Sequence, residues 1–326
     1  MPHEGILFVL VGPSGAGKNT LMQRVKGHFD NLTQLATMTT RSMREGEAQG
    51  REHWFVSPDE FTSMIERNQL VEWQRVHLDD LYGTPRKTVD EALIASHDLI
   101  ADIECLGAEQ IQKAYPHNAV LIFITPSSLD ILAQRILKRT PDIEPKELAH
   151  RLERAKFEMT FAPQCTYLVL NDDVEQATVQ LRHIIASERL RRRGEDASDG
   201  PIIPRHVFHI RTVGLIRAGE HLLTLDGELP DFGVRDYDEL PHVALQRAIE
   251  QALGQPPLLE EVADSRFDFT APSHVSIIAR PPDIHLTFYY RGSLPTPDAV
   301  SQPDWTWRSP ATLDLAPAVT ELLVTP

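Results

Sequence analysis

The stretch ILFVLVGPSGAGKNT, Ile6 to Thr20, decides the fold. An unbroken apolar run of strand length meets a glycine-rich turn, and the turn opens into KNTLMQRV, which has helical spacing. Gly12 to Lys18 fits G-x-x-x-x-G-K. Glycines let backbone N–H groups converge on phosphate oxygens, the helix N-terminus adds positive partial charge, and Lys18 reaches the β and γ phosphates. Gly12, Ser14, Gly15, Ala16, Gly17, Lys18, Asn19 and Thr20 are the candidate triphosphate ligands. After the lysine a hydroxyl residue is usual, and here it is Asn19. Its amide oxygen is a weaker donor to Mg²⁺, acting directly or through a metal-bound water.

Outward from this turn, DLIADI, AVLIFIT and TYLVLN are further apolar runs separated by helix-period segments, up to about residue 190. Strands alternating with helices predict an α/β domain whose parallel sheet is covered on both faces. The period breaks at RRRGEDASDGPIIP, Arg191 to Pro204, a linker by composition. Beyond it, HVFHIRTVGLI, HVSIIA and IHLTFYY have strand character and HVALQRAIEQAL is helical, which predicts a smaller sheet-rich α/β domain. The expected division is therefore residues 1–190, linker 191–204, and 205–326.

A chain of 326 residues suits two domains. Its net charge of -15 argues against a general nucleic-acid binder, despite the basic run Arg189, Arg191, Arg192 and Arg193. Two cysteines, Cys105 and Cys165, predict a reducing, cytoplasmic compartment. The start lacks a basic n-region, and no stretch approaches the ~20 apolar residues of a membrane span.

TMTTRSMREGEAQGREHWFVSPDEF, Thr37 to Phe61, sets Arg41 and Arg44 three residues apart, able to fork a dianionic phosphate. With this segment, residues 4–190 resemble guanylate kinase. The family's acceptor residues correspond to Thr37, Thr39, Thr40, Arg41, Arg44, Gly46 and Glu47, with His53 in place of a tyrosine. LVEWQRVHLDDLYGTP is similar to the segment that reads guanine. The resemblance implies that Glu72 accepts from the guanine N1–H and 2-amino group, that Thr37 and Thr84 offer hydroxyls to the base, and that Tyr82 binds the acceptor phosphate. From Glu72 to Tyr82 the chain is one residue longer than the family pattern. Asp102 and Glu104 match an acidic pair at a strand end that serves the acceptor base and the hydrated metal.

RILKRTPDIEPKELAHRLERAKFEM resembles the family's mobile lid, whose phosphate-closing arginines correspond to Arg139 and Arg151. Asn171 matches an asparagine near the adenine, while Arg135 and Arg154 have the spacing of helical salt bridges. The implied reaction is transfer of the ATP γ-phosphoryl group to GMP or dGMP with Mg²⁺, without a protein nucleophile. Lys18, Arg41, Arg139 and Arg151 are the expected catalytic residues. A ribose 1,5-bisphosphate kinase on the same scaffold, or a non-catalytic nucleotide-binding scaffold, are the rivals.

The second domain holds GVRDYDELPHVALQRAIEQALG, in which Gly233, Glu239, Arg247, Ile249 and Gly254 keep the frame of the Nudix box, and residues 205–323 resemble that family. An active box has glutamates at i, i+3 and i+4 of one helix, all on one face around divalent metals. Here those positions are Ala248, Gln251 and Ala252; Glu250 faces elsewhere, and Glu260 and Glu261 lie outside the box. The resemblance implies a Nudix-like α/β/α sandwich without its metal ligands and without diphosphohydrolase activity, in a binding or regulatory role. Such a domain leaves open a nucleotide effector and a homo-oligomer. Arg247 is expected to bond Glu239 or loop carbonyls, with Ile249 and Leu253 facing the core. His206 and His209 point to opposite faces of a strand, and Trp305 and Trp307 suit a strand face or a ligand pocket.

Overall fold

The computed structural model describes residues 4–76, 80–193, 206–234, 240–260, 272, 274–280, 283–297, 300, 302–315, 317 and 319–320. The chain packs as two units, Met1–Ser127 with Cys165–Arg205, and Ser128–Gln164 with His206–Pro326.

The first unit contains β1 (Leu7–Val11), α1 (Lys18–Lys26), β2 (Leu32–Gln34), β3 (Thr37–Thr39), β4 (His53–Phe55), α2 (Pro58–Glu66), β5 (Leu70–Val76), β6 (Asp80–Pro85), α3 (Arg86–Ile94), β7 (Asp98–Asp102), α4 (Cys105–Ala114) and β8 (Ala119–Thr125). After the second unit's helices α5 (Leu129–Arg139) and α6 (Pro145–Met159), it resumes with β9 (Tyr167–Leu170) and α7 (Val174–Arg193). The expected apolar runs are β1, β7, β8 and β9, and they pair in parallel in the order β2-β7-β1-β8-β9. Alternate residues of β1 serve opposite faces. Phe8 and Leu10 pack with Leu21 and Val25 of α1 and Leu181 and Ile185 of α7. Leu7, Val9 and Val11 are equally buried on the other face, where α4 lies against β1 and β8.

A second sheet, in the order β4-β3-β6-β5, carries the acceptor segment. Its core is Met38, Phe61 and Leu70. The register between β5 and β6 jumps from Leu70 opposite Pro85 to Trp73 opposite Gly83, so Val71 and Glu72 share the slot opposite Thr84. This bulge lies beside the buried carboxylate of Glu72.

The second unit holds α5 and α6, joined by a small core of Leu132, Ile136 and Ala155, and then β10 (Val207–Ala218), β11 (His221–Leu225), β12 (Asp231–Gly233), α8 (Pro241–Leu253), β13 (Leu258–Leu259), β14 (His274–Arg280), β15 (Asp283–Ser293) and β16 (Trp305–Arg308). Its seven-stranded sheet is mixed, with β10 and β15 parallel along eleven register pairs from Val207↔Asp283 to Arg217↔Ser293. Leu245 and Ile249 of α8 are buried, and α8 packs on β10.

Two expectations are corrected. Arg191 to Arg193 belong to α7 rather than to a linker; Arg189 is paired with Asp98 and Arg191 with Glu188, so these cations serve the fold. The remaining linker residues, 194–204, lie outside the described residues. Leu253 is half-buried rather than in the core. Among the described residues no helix is long and apolar enough to cross a membrane.

Candidate active site

The loop between β1 and α1 is built on backbone geometry that only glycine accommodates easily. Gly12, Gly15 and Gly17 have φ of 136°, 93° and 93°. A Cβ on Gly12 would stand 2.1 Å from the Ile124 carbonyl oxygen, and one on Gly17 2.3 Å from Asn171 Nδ2. Asn171, buried at the end of β9, donates to the Ala16 carbonyl at 2.7 Å. The matching asparagine therefore braces the loop itself. Lys18 Nζ donates to the Gly12 and Pro13 carbonyls and lies 3.6 Å from Asp102 Oδ1 at the end of β7. Ser14, Asn19 and Thr20 are exposed, and Asn19 Oδ1 accepts from Gln23 Nε2 at 3.4 Å.

The second sheet brings together the residues that the resemblance assigned to the acceptor. Arg41 is only 8% exposed. Its Nη1 and Nη2 reach Glu47 at 2.7 and 2.6 Å, Nη1 also meets the Ser42 carbonyl, and Nε donates to the Tyr82 hydroxyl at 2.9 Å. The Arg41 guanidinium holds Glu47 at a pKa of about 2, well below the usual carboxylate range. Glu47 also accepts from the Arg44 backbone N–H at 2.8 Å, stitching the turn that carries Arg44, whose side chain is exposed. Thus Glu47, matched in sequence without a role, occupies the fork that sequence reasoning reserved for phosphate.

Thr37 and His53 face each other across the parallel β3–β4 pair, with Thr37 Oγ1 2.7 Å from His53 Nδ1. Burial, with Arg41 nearby, lowers the His53 pKa and favours neutral imidazole. The His53 ring stands edge-on to Tyr82, 5.7 Å between centroids. On the other side, Glu72 is 5% exposed, and Thr84 Oγ1 donates to its Oε1 at 2.6 Å. Burial first, and then the charge of Glu104, push the Glu72 carboxyl up to about 7, against the Thr84 hydrogen bond. With its proton on Glu72, the Thr84 hydroxyl retains only acceptor capacity.

Two contributors were not singled out in the sequence. Gly107, in the first turn of α4, leaves the space that Glu72 fills: a Cβ there would be 2.5 Å from Glu72 Oε2 and 2.9 Å from Gln74 Nε2. Its sequence signal is a glycine where a helix should begin, just past the acidic pair. Gln74 follows Glu72 at strand period and so shares its face.

In the second unit, Arg139 is exposed at the end of α5, and Arg151 pairs with Glu147 one helical turn away. Arg154 makes the expected helical pair, but with Glu158, which is buried. Helix α8 begins with Pro241 at its first turn and ends on Gly254 at φ 73°. Ala248 and Ala252 are half-buried, and Gln251 and Glu250 exposed; Glu239 and Glu261 lie outside the described residues, and with them the Arg247–Glu239 bond. His206 is buried while His209 is exposed, paired with Asp283 and stacked on His285. Trp305 is buried and stacks on Phe232 with centroids 6.4 Å apart, and Trp307 Nε1 donates to the Pro297 carbonyl. Both cysteines are buried and unbridged.

A family model described as guanylate kinase matches residues 5–188. Guanylate kinases of Bordetella pertussis, Carboxydothermus hydrogenoformans and Thermotoga maritima are 40%, 39% and 39% identical to this chain over 188, 189 and 186 residues. These spans cover 58%, 58% and 57% of the chain and 86%, 91% and 88% of those proteins. A crystal structure of guanylate kinase from Anaplasma phagocytophilum is 26% identical, with a TM-score of 0.47, over 58% of this chain and 88% of that one.

Proposed function

Because the chain belongs to the guanylate kinase family, we propose that it transfers the γ-phosphoryl group of ATP to a phosphate oxygen of GMP or dGMP, releasing ADP and GDP or dGDP. The observation that carries the choice of acceptor is the buried Glu72 carboxylate, fixed by Thr84 across the bulge. An ionised carboxylate there accepts from N1–H and the 2-amino group together, a donor pair that adenine lacks.

Phosphoryl transfer asks the protein for alignment and positive charge rather than for a nucleophile. The loop N–H groups and Lys18 take the β and γ phosphates, and Asn171 holds the loop in the required shape. Arg41, Arg44 and Tyr82 take the acceptor phosphate; Arg41 exchanges part of its bond with Glu47 for phosphate oxygens as the acceptor enters. His53, neutral and bonded to Thr37, fills the position of a tyrosine and holds that hydroxyl beside the base. Arg139 and Arg151 are assigned to the charge that develops on the transferring oxygens. The oxygen donors Asn19 Oδ1 and Asp102 suit Mg²⁺, which would be held directly or through its waters. When bound, the metal supplies charge neutralisation on the phosphates.

For residues 205–326 the proposal is a Nudix-like domain without diphosphohydrolase activity, serving as a binding or regulatory module. It is supported by the Pro241 start, the Gly254 stop and the neutral side chains at 248, 251 and 252.

The test is ADP release by the full-length chain with ATP and Mg²⁺, offered GMP, dGMP, AMP, dTMP or ribose 1,5-bisphosphate. Turnover confined to the guanine nucleotides is expected. Preference for the ribose bisphosphate, or ATP binding without any turnover, would overturn the reading.

A further inference from the structure

Three polar side chains meet where the guanine edge is assigned, and their hydrogens can be counted. Glu72 is an acceptor when ionised. Thr84 has one hydroxyl proton, and it lies on Glu72 Oε1. Gln74 brings two amide protons, and its Nε2 is shielded from solvent without any hydrogen-bond partner. A buried donor left without a partner is costly and requires an explanation.

The space that Gly107 leaves open accounts for where this amide sits. Glu72 Oε2 and Gln74 Nε2 both crowd the point that a Cβ of residue 107 would occupy, at 2.5 and 2.9 Å. Turning the amide over would set Oε1 near a carboxylate, so the orientation with Nε2 beside Glu72 is the favoured one. The pair thus presents a donor next to an acceptor. A 6-oxopurine presents the complement, a C6 carbonyl next to N1–H. The carbonyl needs a donor; the Thr84 hydroxyl has already committed its own, and the Thr37 hydroxyl is engaged with His53 Nδ1 at 2.7 Å.

We propose that Gln74 is a second base-reading residue, donating from Nε2 to the C6 carbonyl oxygen of the purine whose N1–H and 2-amino group bind Glu72. The inference rests on the guanine-nucleotide reading and deepens it. Gln74 makes rejection of 6-aminopurines two-sided: an amino group at C6 would meet an amide donor while N1, now an acceptor, met a carboxylate.

The experiment measures kcat and KM of the full-length chain for GMP and for 6-thioguanosine 5′-monophosphate, whose sulfur is a poorer acceptor at the same place. Wild type, Q74L and Q74E are compared, with Q74M as a second apolar variant should Q74L fail to fold. The wild type should prefer the oxo over the thio acceptor. In Q74L the KM for GMP should rise about tenfold or more, and the oxo-over-thio preference should shrink by a similar factor. Q74E, with an acceptor facing the carbonyl, should lose more. A Q74L enzyme with GMP KM and preference within twofold of wild type overturns the assignment. A raised KM with an unchanged preference also overturns it, because Gln74 would then only support Glu72. Failure of the wild type to use GMP at all would sink the acceptor reading itself, and it would be seen before any substitution was made.

Discussion

Helices α1 and α8 both lie in sequence frames that carry a family resemblance, and they differ in the side chains those frames hold. At α1 the positive-φ glycines survive together with Lys18, Asp102 3.6 Å from its ammonium, and Asn171 bracing the loop from β9. At α8 the helix starts on Pro241, ends on the left-handed Gly254 and buries Ile249, while positions 248, 251 and 252 carry no charge. Backbone frame and chemical payload are separable.

The harshest way to break this contrast is at α1. Lys18→Met should lower phosphoryl transfer roughly a thousandfold, as loss of a preorganised cation at the developing charge does, with thermal stability nearly unchanged. A loss under tenfold would mean that the loop, too, is only frame.

Next in size is Glu72→Gln, which should cost about a hundredfold in kcat/KM for GMP while leaving ATP affinity intact. The same change carries a stability signature. Glu72 titrates at about 7 in the folded chain, above its unfolded value. Its burial as an anion therefore destabilises the fold above pH 7, and this penalty fades as pH falls through 7 toward the unfolded pKa. Glu72→Gln should raise the melting temperature at pH 8 and leave it unmoved at pH 4. By the same logic, wild-type KM for GMP should climb as pH drops below about 7, more steeply than in Glu72→Gln, whose profile retains only the phosphate's own ionisation.

A smaller effect is expected of Gly107→Ala. The added methyl must displace the Glu72 carboxylate and the Gln74 amide, raising KM for GMP about tenfold, while helix propensity favours alanine by roughly 1 kcal/mol. Equal KM values would show that the cradle yields freely. Smallest of all is the signal at α8: the wild-type chain should release no phosphate-containing product from nucleoside diphosphate derivatives with Mg²⁺ or Mn²⁺. Measurable metal-dependent hydrolysis would erase the contrast between the two helices.

The parts legible in the sequence were those dictated by local chemistry. Buried strands such as Leu7–Val11 announce themselves as apolar runs, and the G-x-x-x-x-G-K turn carries its own conformational demand. The acceptor sheet was less visible, since β3 and β4 have three residues each and pair across a gap filled by polar sequence, Thr37 with His53. The residues proposed as its ligands came only through family resemblance. Relations between distant side chains were not legible at all: Glu47 in the fork of Arg41, Gly107 making room for Glu72, and the arginine run of α7 spent on Asp98 and Glu188. Each depends on three-dimensional proximity that no period or spacing encodes.

The bulge in β5 has a consequence for how this site can vary. Val71 and Glu72 together occupy the slot opposite Thr84, while the pairs on either side, Leu70 with Pro85 and Trp73 with Gly83, are regular. Loss of a single codon at this point would let the ladder close into an ordinary hairpin, sparing the fold and removing the carboxylate or its support. On the proposed reading of Glu72, acceptor choice in this chain is exposed to insertion and deletion as well as to substitution, and a change of length here is a short route to a different substrate.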